Sequence, residues 1–74
     1  MGVRNKLLEL RLKMGYKFQK DFAEFLGVSR FSINQWENQK KQPNVETLCM
    51  IFEKLKKELP DLHMEDLIEY EPDD

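Results

Sequence analysis

At 74 residues the chain has room for one domain with a thin core, and its single cysteine (Cys49) and single histidine (His63) exclude a disulfide within the chain and Cys/His zinc coordination. No apolar run approaches a membrane span and no signal-peptide pattern opens the chain, so a cytoplasmic protein is expected. The formal charge of −2 hides an asymmetry: residues 1–57 hold all 12 Lys and Arg against 6 acids, whereas residues 58–74 hold 8 acids and no Lys or Arg, as suits a body that meets phosphate and an end that does not.

Val3, Leu7, Leu10 and Met14 recur at helical spacing, with Leu8 beside them, and predict a first helix from about Val3 to Met14, ended by Gly15. A second helix is expected from Lys17 or Phe18 to Leu26, with Phe22, Ala23 and Leu26 on one face. Gly27 follows where the chain must turn through a left-handed backbone, which glycine adopts without a Cβ clash. Val28 plugs the corner, and Ser29 stands where the free amides of the next helix need an acceptor. A third helix then runs from Arg30 to about Asn38, with Ile33 and Trp36 inward. Ala23 is the small residue that two steeply crossing helices need at their contact. Residues 19–38 thus read as a helix-turn-helix unit whose outer face carries Arg30, Phe31, Asn34 and Gln35, side chains suited to base edges. A plain helical hairpin would tolerate any one of these residues but explains the set less well.

Gln39 to Pro43 form a polar loop. Asn44 as N-cap, with Glu46 in the first turn, opens a fourth helix whose stripe is Val45, Leu48, Ile51, Phe52 and Leu55 and which extends to about Leu59. Pro60 breaks the chain. A short fifth helix is expected from Met64 to about Tyr70, with Leu67 and Ile68 inward and His63 or Asp61 as cap. Residues 70–74 are expected to fray as an acidic tail. Neither sustained alternation nor a hairpin turn is present, so no strand is expected and the fold class is all-α, one domain over residues 1–74.

Leu10-Arg11, Gln19, Phe22-Ala23, Leu26-Gly27-Val28-Ser29, Ile33, Trp36-Glu37-Asn38, Pro43, Leu48 and Leu55 together resemble the lambda-repressor-like DNA-binding domain, the Cro/repressor or XRE group. The resemblance spans about residues 3–70. It implies a five-helix bundle that binds an operator as a symmetric dimer. By the same resemblance Gln19 would anchor to a phosphate and brace the recognition helix, and Arg30, Phe31 and Gln35 would face bases. Asn38, Lys40 and Lys41 would hold the phosphate backbone, and Arg11 and Glu37 would form an ion pair between the first helix and the end of the third. The chain departs from the family in three places. The second helix lacks the usual Ser or Thr cap. The segment from Leu55 to Leu67 is long. Gln39 stands where the family often has glycine, and a left-handed backbone there would cost about 1 kcal/mol.

A cation at a helix N-terminus opposes the dipole, so Arg30 serves stability poorly but matches the two acceptors of guanine well. Gln35 has the geometry of an adenine reader. Phe31 is open between packing on Gly15 or Tyr16 and contact with a thymine methyl. No second carboxylate, histidine or nucleophile forms a motif with Glu37, so neither enzymatic activity nor a cofactor or metal is expected. The expected function is a sequence-specific transcription regulator, a repressor that binds double-stranded DNA at a palindromic operator as a homodimer, with no membrane partner. The alternative is an antitoxin or adaptor whose acidic part, Glu58 to Asp74, binds a protein partner.

Overall fold

The two ends of the chain pair with each other. In the computed structural model, which describes residues 2–72, the order is β1 (Gly2–Asn5), α1 (Leu7–Lys13), α2 (Gln19–Leu26), α3 (Arg30–Glu37), α4 (Val45–Glu58), a 3-10 turn (Met64–Asp66) and β2 (Ile68–Glu71). β1 and β2 form a two-stranded antiparallel sheet in which Val3 lies opposite Tyr70 and Arg4 opposite Glu69. The fold is therefore mostly helical rather than all-α, with four helices and a small sheet in place of five helices.

Both corrections have a local cause. Asn5 accepts the Leu7 N–H on its side-chain oxygen at 3.2 Å, which starts α1 late. Its own backbone N–H and C=O bond the Gln39 side chain, at 3.1 and 3.0 Å, and so are lost to any helix. At the other end, Ile68 and Tyr70 alternate with Glu69 and Glu71, a pattern that suits a strand with one polar face. Tyr70 and Glu71 are thus paired, opposite Val3 and Gly2, rather than frayed; Asp73 and Asp74 lie outside the described residues. Exposed ion pairs join Arg4 to Glu69 at 3.4 Å and to Glu71 at 3.9 Å, and Lys6 to Glu69 at 3.7 Å. Each such pair contributes about 1 kcal/mol or less.

One buried cluster holds the elements together: Leu7 and Leu10 of α1, Phe22, Ala23 and Leu26 of α2, Ile33 and Trp36 of α3, Ile51 and Leu55 of α4, then Leu62 and Leu67. Tyr16 packs its ring against Phe22 and Phe25, with centroids 5.5 Å away in both cases. α1, α2 and α3 end alike. A residue one or two positions past each helix, Gly15, Gly27 or Gln39, is left-handed, with φ of 86°, 75° and 59°. The next N–H then reaches back into the helix: Tyr16 to the Arg11 carbonyl, Val28 to Ala23 and Lys40 to Gln35, at 3.0, 3.0 and 2.9 Å. Helix starts are capped by Ser29, which accepts from Ser32 N–H at 3.0 Å, and Asn44, which accepts from Thr47 N–H at 2.8 Å.

The sheet register also sorts the amides. Asn5 turns its backbone groups away from β2, and Lys6 N–H bonds the Leu67 carbonyl at 2.8 Å, so Arg4 and Glu69 are a mutually bonded pair while Val3 and Tyr70 point outward. Amide hydrogen exchange followed by NMR should accordingly be slower at Arg4 and Glu69 than at Val3 and Tyr70. The opposite order would mean a register displaced by one residue.

Candidate nucleic-acid interface

The sequence places a glutamate at the last position of α3 and an arginine in α1, and the fold buries both side chains, to 4 % and 9 % exposure. Glu37 accepts from Arg11 Nε at 2.7 Å, from Arg11 Nη2 at 3.3 Å and from Gln19 Nε2 at 2.9 Å. Arg11 Nη1 donates to the Tyr16 and Lys17 carbonyls at 3.1 and 2.7 Å. The planar guanidinium thus engages the carboxylate with two N–H groups and the loop with a third nitrogen. Gln19 extends the network, because its amide oxygen accepts from Asn34 Nδ2 at 3.4 Å. Among the described residues no buried side-chain nitrogen or oxygen lacks a partner.

This network sets how α3 is turned. With Ile33 and Trp36 in the core, the opposite face presents Arg30, Phe31, Asn34 and Asn38 to solvent, with Gln35 half-buried at its margin. Phe31 is 71 % exposed, so little of its ring is used in packing. Asn38 donates its amide to the Asn34 carbonyl at 2.9 Å and so closes its own helix. Lys40 and Lys41 follow, both exposed.

The start of α2 lies beside the start of α3. Phe18 holds the N-cap position and makes no side-chain cap, so the first amides of α2 keep their capacity for an anion. Arg30 shares a polar cleft there with Lys17, Phe18 and Lys20. Lys17 and Lys20 were not singled out from the sequence, although two lysines around an uncapped helix start were a legible sign. The far end of α2 receives a cation of its own: Lys54 Nζ donates to the Leu26 carbonyl at 2.9 Å, where the helix dipole favours it. The amide group formed by Asn5, Gln39 and Gln42 was also missed, because nothing local links residues so far apart in the chain.

The family described as helix-turn-helix matches residues 7–62. The chain belongs to the XRE-type, lambda-repressor-like helix-turn-helix family. No curated protein matches it. The helix-turn-helix match takes in α1 to α4 and leaves both strands outside. Domains of this family are DNA-binding regulators. Among the described residues no helix is long and apolar enough to cross a membrane.

Removing Glu37 would leave the Arg11 guanidinium buried without its counter-charge. Glu37→Ala should therefore lower stability by about 3–5 kcal/mol in denaturant unfolding. A loss under about 1 kcal/mol would be the behaviour of an exposed pair and would contradict the burial described above.

Proposed function

We propose that this helix-turn-helix protein is a sequence-specific transcription repressor, acting in the cytoplasm, that binds a palindromic operator in double-stranded DNA as a homodimer. The observation that carries the reading is the outer face of α3. Its back is buried, its turn is fixed by Glu37, and Arg30 and Phe31 at its start are exposed. On this reading Arg30 pairs with guanine, Gln35 with adenine and Phe31 with a thymine methyl, and Asn34 lies among them. Phosphate-binding groups flank them: Gln19, with Lys17 and Lys20, at the uncapped start of α2, and Asn38, Lys40 and Lys41 after α3. Such a division lets phosphate contacts fix register while base contacts specify sequence.

One recognition helix reads too few base pairs to stand out in a genome, and two copies about a two-fold axis double the contacts. Of the apolar residues in the last segment, Leu62 and Leu67 are buried in the core and are not available for that contact. Met64 is only partly buried and lines a cleft with Phe52 and Cys49, and we assign the dimer contact there. The alternative, an acidic segment that binds a protein partner, is less well supported, because Glu69 and Glu71 already face Arg4 and Lys6.

Selection of bound duplexes from a random pool should return a palindrome with half-site centres about 34–36 Å apart. A motif without symmetry, bound by one copy, would refute the dimer. On the selected site, Arg30→Ala should cost about 1–3 kcal/mol and relax preference at one base pair per half-site, whereas Lys40→Ala or Lys41→Ala should weaken all sequences alike and lower the salt slope by about 1 each. Equal losses for Arg30→Ala on selected and random DNA would remove it from base reading.

A further inference from the structure

Gln39 occupies a left-handed position that glycine fills at the ends of α1 and α2. Glycine would be the less strained choice, so the side chain that replaces it invites a reason. Its amide supplies one. Gln39 Nε2 donates to the Asn5 carbonyl at 3.0 Å and Oε1 accepts the Asn5 N–H at 3.1 Å, so a single side chain pairs with β1 as a residue of a third strand would. Gln42 Nε2 donates to the same Oε1 at 2.9 Å. Asn5, 1 % exposed, donates through Nδ2 to Gln42 Oε1 at 2.8 Å and to the Trp36 carbonyl at 2.7 Å. Lys40 and Lys41 are therefore suspended between two glutamines, each tied to the same buried asparagine.

We propose that Gln39 and Gln42, held by Asn5, are positioning residues that preset Lys40 and Lys41 for the DNA backbone, and that the two-stranded sheet is thereby part of the DNA-binding apparatus. The proposal rests on the reading that this loop meets phosphate. The physical reason is pre-organisation: a loop ordered in advance does not lose its freedom on binding, and that loss would otherwise weaken affinity for every sequence equally.

The test measures binding to a random-sequence duplex at low salt. Gln39→Gly is the informative variant, since glycine keeps the left-handed backbone and removes the side chain that carries the amide. Gln39→Asn is the second, with an amide too short to span to β1. A thermal melt checks that each is folded. Both variants should weaken binding by roughly five- to tenfold. In a Lys40→Ala/Lys41→Ala background, already weaker with a lower salt slope, neither should weaken it further. An equal loss in both backgrounds, or no loss in either, would overturn the positioning role while leaving the loop on phosphate. If the double lysine variant binds as the parent does, the loop reading fails and the inference fails with it.

Discussion

A charged arginine inside a core this thin dictates much of what surrounds it. Arg11 is buried at the edge of that core, where an unmatched guanidinium would be costly, so its donors need acceptors from several directions. Glu37 supplies two from the end of α3, and the Tyr16 and Lys17 carbonyls supply the rest from the loop before α2. Meeting these demands together fixes the path of that loop and the rotation of α3 about its axis. Burying two charges costs about what their attraction returns, so we read the pair as an orienting device more than a net stabiliser. Gln19 carries the orientation on, from Glu37 to the middle of α3.

The same helix is held from a second side by neutral groups. The Trp36 carbonyl, near the end of α3, takes the Asn5 amide, and Gln39 after it bonds the Asn5 backbone. The two anchors differ in kind. The Arg11–Glu37 pair lies within residues 7–62, where the family resemblance is, whereas Asn5 lies outside them. Gln39, where the family often has glycine, is the residue that joins this strand to the helix-turn-helix unit.

Much of this could be read from the sequence because it is governed by neighbours. Gly15 and Gly27 announce left-handed ends, Ser29 and Asn44 announce helix starts, and the inward residues of α2 and α3 recur at helical spacing, as the fold has them. The stripe of α4 is overread at Val45, which is 77 % exposed; the misreadings of secondary structure lie at the two ends. Val3 falls in step with Leu7, Leu10 and Met14, so the spacing suggests a helix where the fold has a strand. Each strand is only four residues long, too short for alternation to outweigh that coincidence. The partner that makes Val3 a strand residue is Tyr70, and pairing at such sequence separation leaves no local mark. For the candidate interface, the outward position of Arg30 and Phe31 follows from spacing. That Gln19 braces α3 through Glu37 and Asn34, and that Gln39 compensates its own backbone by bonding Asn5, depends on tertiary contact.

Charge shows the same difference between counting and placing. A chain of net charge −2 is a poor polyanion ligand by its sum, yet beyond about 10 Å of 0.1 M salt an exposed charge is largely screened, so local arrangement decides. Lys17, Lys20 and Arg30 share one cleft, and Lys40 and Lys41 share one loop. The acidic end is not remote from that loop, because Glu71 lines a shallow cleft with Gln39 and Gln42. Arg4 lines it too, and its guanidinium lies 3.9 Å from Glu71, 3.4 Å from Glu69 and 3.7 Å from Glu9. Pairing the acidic strand with a basic one therefore offsets its charge next to the lysines. The sheet that anchors the loop through Asn5 also limits the repulsion that the C-terminal acids would otherwise exert on an approaching phosphate.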